Sequence, residues 1–381
     1  MTLEVAVDGE PTPALAYPAL TGSPVPGDRV LLNTTALDLG LGTGGYALVV
    51  ALPDRLPAGQ PAGPAGTAGT AGHLVKARYT PLQVCVAGVD EQGSPYHDML
   101  AAADDLDGMP VVVADLHSAL PAVLAGFYAE RGLPAAPLPS PPGPPRDPGE
   151  RPAPPRAAYI MPDGGALAAW FSRTRSRLSA AGWLAGTITV GQAFGGDLEA
   201  VTLHSGLLAA RHVLGADVAV VAQGPGNLGT GTRWGFSGVA AGEAVNAVAA
   251  LHGRPVAALR ISGADPRERH RGISHHSLTA YGRVALARAD VVIPDLPGAL
   301  GEAVRAQAAP LGARHALVRV DLAGLGEALE GCPVPLSSMG RGLADDPAYF
   351  LAAAAAGRHA AALLAAGGSQ PGQPERPGRP G

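Results

Sequence analysis

Residues 260–282, RISGADPRERHRGISHHSLTAYG, place Arg260, Arg267, Arg269 and Arg271 beside His270, His275 and His276. An imidazole changes charge near neutral pH, so each histidine is a candidate general base, hydrogen-bond acceptor or metal ligand. The planar guanidinium fork suits a carboxylate or a phosphate, which makes Arg260, Arg267 and Arg269 candidate substrate-binding groups for a small anionic molecule. Ser274 stands where an N-cap belongs, ahead of SLTAYGRVALARA with Leu278, Tyr281 and Ala285 turned inward. His275 and His276 then occupy a first helical turn, whose dipole disfavours the imidazolium form. Neighbours on a helix point about 100 degrees apart, so this pair is not expected to share one ligand. The competing reading is that Asp265 and Glu268 pair with the arginines on a solvated loop.

A second group of candidates follows other strand-like runs. VVVADLHS puts Asp115 and His117 two residues apart on an extended segment, facing the same way and opposite the histidines. It resembles the opening Asp-x-His of metallophosphoesterases, and Gly196-Asp197 and Gly226-Asn227 fall in the order of that family's later motifs. Leu228, however, stands where that family has a histidine. Asp163 lies in PDGG after AYIM, and Asp197 in the polar segment after GTITV. GPGNLG, with Gly224, Gly226 and Asn227, follows DVAVVAQ and suits a glycine-shaped anion or substrate loop. The next helix begins only near Ser237, so a dinucleotide fingerprint is not expected. DLGLGTGG (38–45) resembles the loop with which methyltransferases hold S-adenosylmethionine, yet a strand-like run follows it, which favours a β-hairpin over Leu39–Gly45. The residue types name no cofactor and do not settle whether a metal is bound.

The elements that must position these groups are legible as alternating runs. VVVAD, AYIMP, GTITVG, DVAVVA, PVAALRI, DVVIP and HALVRVDL are continuous apolar strands, separated from about residue 106 by alanine-rich helical stretches. That pattern predicts a mostly parallel sheet with helices on both faces, ligands binding beyond the carboxyl ends of its strands. Before it, EVAV, RVLLNTT, YALVVAL and HLVKARYTPLQVCVAGV predict a small β-rich, barrel-like domain over residues 1–105. The α/β domain is expected to end near 366. Gly/Pro-rich residues 57–72, the Pro-rich insertion at 134–156 and the tail from 367 to 381 read as linkers without a core.

With 381 residues, 47% of them hydrophobic and 15% charged, the chain can bury a large core. A net charge of −5 supplies no basic field for nucleic acid. Lys76 is the only lysine, so arginine abundance by itself says little about anion binding. Cys85 and Cys332 are too few for a disulfide framework, which fits a reducing compartment, and MTLEVAVDGE has no signal-peptide pattern. Residues 109–129 are broken by Asp115 and His117, and 349–367 by Arg358 and His359, so neither is expected to span a membrane. A cytoplasmic protein is expected, its homo-oligomeric state open. GDRVLLNTTALDLGLGTGGYALVVA, HLVKARYTPLQ, VVVADLHS and RISGADPRERHRGISHHSLTAYGRVALA together resemble the bacterial family called domain of unknown function 3866, from about Gly27 to about residue 350. The resemblance implies no activity. The residues themselves favour an enzyme, hydrolase or transferase, acting on a small anionic molecule. The alternatives are a non-catalytic metabolite- or partner-binding protein, or a metallophosphoesterase-like hydrolase.

Overall fold

The computed structural model describes residues 1–40, 44–55, 72–131 and 155–367. Apart from a few end residues, the segments expected to be linkers at 57–72, 134–156 and 367–381 lie outside the described residues. Strands β1 (Thr2–Val7) and β2 (Glu10–Leu15) form a hairpin around Asp8-Gly9, both at positive φ as a tight primed turn requires. After the single turn α1 (Pro18–Thr21), β3 (Leu31–Asn33) and β4 (Ala47–Ala51) pair antiparallel. The glycine-rich segment thus joins two paired strands and opens no helix. It is not a tight hairpin, because α2 (Thr35–Asp38) is inserted in the connection, and residues 41–43 lie outside the described set.

The N-terminal sheet has the order β1-β2-β4-β3 and closes no barrel, which corrects that expectation. Its own core consists of Ala14, Ala16, Ala47 and Val49, too little bulk to fill a barrel interior. A separate ribbon, β5 (Leu74–Lys76) with β6 (Val84–Val86), and the Tyr17–Leu20 turn instead pack on Ala168 and Phe194 of the following domain. Docking replaces closure.

Beyond α3 (His97–Ala102), eight strands form one all-parallel sheet, as the alternating runs predict. They are β7 (Pro110–Val113), β8 (Ala157–Met161), β9 (Gly186–Thr189), β10 (Leu198–Glu199), β11 (Val218–Val221) and β12 (Arg254–Ala257). After a small antiparallel pair, β13 (Ile261–Ser262) and β14 (Gly272–Ile273), follow β15 (Asp290–Pro294) and β16 (Ala316–Val320). The order is β10-β9-β8-β11-β7-β12-β15-β16. Central strands such as Val111–Val113 and Ala157–Met161 have no residue exposed to solvent, hence their uninterrupted apolar sequence.

Helices α4 (Leu120–Arg131), α5 (Arg173–Ala180), α10 (Leu325–Glu330) and α11 (Pro347–Gly367) bury into one face. Helices α6 (Leu203–Leu208), α7 (Ala240–Ala250), α8 (His275–Thr279) and α9 (Gly298–Ala308) pack on the other. By length and composition α11 could cross a membrane; Ala352–Ala356, Ala360 and Ala361 are nevertheless buried inside the fold. The sequence predicts a longer helix after Ser274, but a wider turn over Ala280–Val284 ends it. Chain leaving β7 goes to α4 on one face, whereas its neighbours β11 and β12 lead to α7 and α8 on the other. A crevice therefore opens at the carboxyl end of β7.

Candidate functional site

Asp115, Gln223 and Arg260 lie just beyond β7, β11 and β12 and are 3%, 6% and 4% exposed. Because these strands are neighbours, the three residues sit side by side at the crevice, with the Arg260 charge felt by Asp115. Gln223 Nε2 donates to the Asp115 carbonyl at 2.9 Å and also reaches Asn227 Oδ1, whereas Gln223 Oε1 has no partner. Asp115 Oδ2 and Arg260 Nη2 are likewise buried without a hydrogen bond. Burial raises the Asp115 carboxyl above the ordinary carboxylate range, and the nearby Arg260 charge opposes the rise. A Cβ on Gly238 would stand 3.0 Å from Asp115 Cβ, so only glycine lets the start of α7 approach this closely. The hydroxyl of fully buried Tyr281 is shared between the carbonyls of Val113 and Ala258, at 2.8 and 3.2 Å, and ties together the ends of β7 and β12.

The histidines come from two local elements. A single turn, Glu268–His270, folds back over the start of α8, where the Ser274 side chain accepts from the His276 backbone N–H as its cap. The same Ser274 Oγ is 2.7 Å from His270 Nδ1. Ring centroids are 5.0 Å apart for His270–His275, 5.0 Å for His270–His276 and 4.3 Å for His275–His276. One nitrogen from each ring lies within 4.8 Å of the others, closer together than the roughly 100-degree spacing of neighbouring helical residues suggests. His276 stacks flat on Phe236, centroids 3.8 Å apart at 2°. His275 Nε2 and His276 Nδ1 are buried and unpartnered. Burial, and then the surrounding positive charges, depress all three imidazoles, His270 and His276 to about 3, so neutral rings face the site.

The remaining candidates are used differently. Arg267 is committed to Asp265, with Nε and Nη2 each at 2.9 Å, which is the competing reading for that residue. Asp265 has no exposure and also faces Arg341 at 3.1 Å and Arg260 at 3.7 Å. Arg269 is exposed, and its charge reaches His275 and His276. His117 does not stand opposite the histidines as a ligand: its Nδ1 meets Tyr159 OH at 3.0 Å and its Nε2 meets Ser172 Oγ at 2.7 Å. The extended segment ends at Leu116, and the turn His117–Ala119 redirects the ring away from Asp115's direction. Asp197 binds Arg175 at 2.7 Å and the Thr187 N–H at 2.8 Å, fixing the β9–β10 edge. Asp163 accepts from the Gln192 N–H and, with Asp115, Gln223 and Gly238, lines a cleft of about 440 Å³. Gly224 approaches Ala166 too closely for a side chain, Gly226 is at positive φ, and Asn227 Oδ1 accepts from Ser237 Oγ at 2.6 Å; the loop is shaped by its own contacts.

Gln223 and Phe236 carry parts of this site that residue type alone did not single out. For Gln223 the available signal is an amide directly after the apolar strand DVAVVA. Arg341 reaches Asp265 from far along the chain and has no local signal. Residues 13–357 match the family model described as Protein of unknown function (DUF3866). The chain belongs to this family. The DUF3866 span contains both the strand-end group and the histidine cluster. No curated protein and no solved structure matches the chain.

Proposed function

We propose that this DUF3866 protein is an enzyme, a hydrolase or transferase, that acts on a small anionic molecule at the carboxyl ends of β7, β11 and β12. One observation carries the reading: Asp115 Oδ2, Gln223 Oε1 and Arg260 Nη2 are all buried without a hydrogen-bond partner, on segments that follow adjacent strands. Each such atom costs about 1–3 kcal/mol, a penalty a bound molecule removes by supplying the missing hydrogen bonds. In this reading Arg260 holds the anionic group. Asp115, its carboxyl raised by burial, acts as the general acid or base. The histidine cluster, whose rings feel the Arg260 charge, flanks the anion site. His117 and Arg267 support the site and do not touch the substrate.

The test is a thermal-shift screen of phosphorylated and carboxylated metabolites on the full chain, followed by turnover assays on those that bind. Asp115→Asn is expected to retain binding and lose about 10²- to 10⁴-fold in kcat. Arg260→Gln is expected to weaken binding by about one to two decades. Binding without turnover in the wild type, or turnover indifferent to both substitutions, overturns the proposal.

A further inference from the structure

We infer that His270, His275 and His276 form a three-imidazole site for one borderline divalent ion, zinc in the first instance. This goes beyond the enzymatic reading and does not rest on it, because an ion can bind whether or not the protein turns anything over. One nitrogen from each ring lies within 4.8 Å of the others, and among the described residues this is the group of histidine, cysteine and carboxylate side chains so placed. Two of the rings present nitrogens that are buried and have no partner, His275 Nε2 and His276 Nδ1. His276 is 9% exposed and His270 is 1% exposed, so these are built positions within the fold.

The third ring has a partner for its outer nitrogen. His270 Nδ1 lies 2.7 Å from Ser274 Oγ; with a metal on Nε2, the Nδ1–H would donate to that oxygen. A metal-bound histidine characteristically donates its other N–H in this way, which fixes both tautomer and ring plane. Phe236, stacked on His276, fixes a second ring plane and shields it from water. Three nitrogens around tetrahedral zinc stand about 3.3 Å apart, given zinc–nitrogen bonds of about 2.0–2.1 Å. The cluster, with its nitrogens within 4.8 Å of one another, is wider than that and would have to contract around the ion.

Donor chemistry selects the ion. Three imidazoles and no carboxylate disfavour magnesium and calcium, which take oxygen ligands, and suit zinc and its neighbours in the transition series. Three protein ligands leave the fourth position open for water or an anion. His275 also lines a cleft of about 520 Å³ with Arg233 and Arg283, which places two guanidiniums near the cluster.

The experiment uses the full chain, stripped with a chelator, desalted and titrated with zinc chloride against a chromophoric competitor. One equivalent per chain is expected. His275→Asn and His276→Asn should each lower zinc affinity by at least 100-fold, and Ser274→Ala by about 10- to 100-fold through the lost orientation of His270. His73→Ala, an exposed histidine paired with Glu91, should leave it unchanged. X-ray absorption at the zinc edge of the wild-type protein reads the ligands without any substitution, and three imidazoles with one lighter oxygen ligand are expected. Substoichiometric binding, affinity that survives both histidine substitutions in folded protein, or fewer than two imidazoles at the edge overturns the inference.

Discussion

His117 shows how a histidine after a strand becomes part of the frame. Its two ring nitrogens are taken by Tyr159 and Ser172, and burial lowers its pKa to about 4. The sign of the pH effect follows from this depression. Between its ordinary value of 6.5 and about 4, the unfolded chain binds a proton that the folded protein refuses. The stability His117 confers is complete above pH 6.5 and declines as the pH falls towards 4. From pH 7 to pH 4.5 its loss is about 2.5 kcal/mol, at close to 1.36 kcal/mol for each pH unit below 6.5. Urea denaturation of the wild type at the two pH values, beside His117→Gln, measures it. The variant is expected to show a pH slope shallower by that amount, and equal slopes would contradict the role. Asp265 works in the same direction on the acid side. Hydrogen bonding to Arg267 holds its carboxyl far below the usual range, so its contribution is present above pH 4 and fades as the solution becomes more acidic.

Among the elements, α4 and α11 cross at very close range. A Cβ on Gly126 would stand 1.9 Å from the Ala354 carbonyl oxygen, and one on Gly357 would stand 1.9 Å from that of Val123. The two helices therefore touch backbone to backbone, and alanines on α11 fill the rest of the contact. This explains why an apolar helix with so little bulk is a core element: small side chains are what the short distance admits. Gly357→Ala forces backbone apart where no side chain can yield, and is expected to destabilise the protein by about 2–3 kcal/mol. Chemical denaturation gives the value, and a loss below about 0.5 kcal/mol would mean that the helices separate easily. Because α4 follows β7 directly, their register also fixes the strand end that carries Asp115.

For the molecule as a whole, Lys76 is the rivet between its two parts. It ends β5 in the N-terminal ribbon, yet its Nζ donates to the carbonyls of Gly191, Ala193 and Ala200 at 2.7, 3.0 and 3.0 Å and lies 3.6 Å from Glu199. Burial lowers the lysine pKa and raises that of Glu199, each restrained by the other's charge. Next to it, Val89 N–H donates to the Glu199 carbonyl at 2.8 Å, which covers the outer edge of β10. Lys76→Met strands a buried carboxylate and three carbonyls, and is expected to cost about 3–5 kcal/mol. Limited proteolysis should then cut first in residues 1–90, ahead of the large sheet. Cleavage at the wild-type rate would show that the apolar contacts around Phe194 suffice.

Sequence alone determined the large sheet, because strands buried on both faces must be apolar without interruption and the helices between them must not be. It also placed polar candidates at strand ends, since a parallel sheet presents its carboxyl ends to solvent. Which of those candidates meet was decided by tertiary structure. The order β8-β11-β7-β12 puts Asp115 between Gln223 and Arg260, residues separated by more than a hundred positions from the first, and no local pattern encodes strand order. The convergence of His275 and His276 likewise depends on His270 folding back across the cap of α8. Arg267 could not be told from Arg269 by type; only the placement of Asp265 separates the paired guanidinium from the exposed one. The barrel failed for a related reason: strand patterns record which face is apolar, while closure depends on whether enough volume lies on that face to fill the space enclosed.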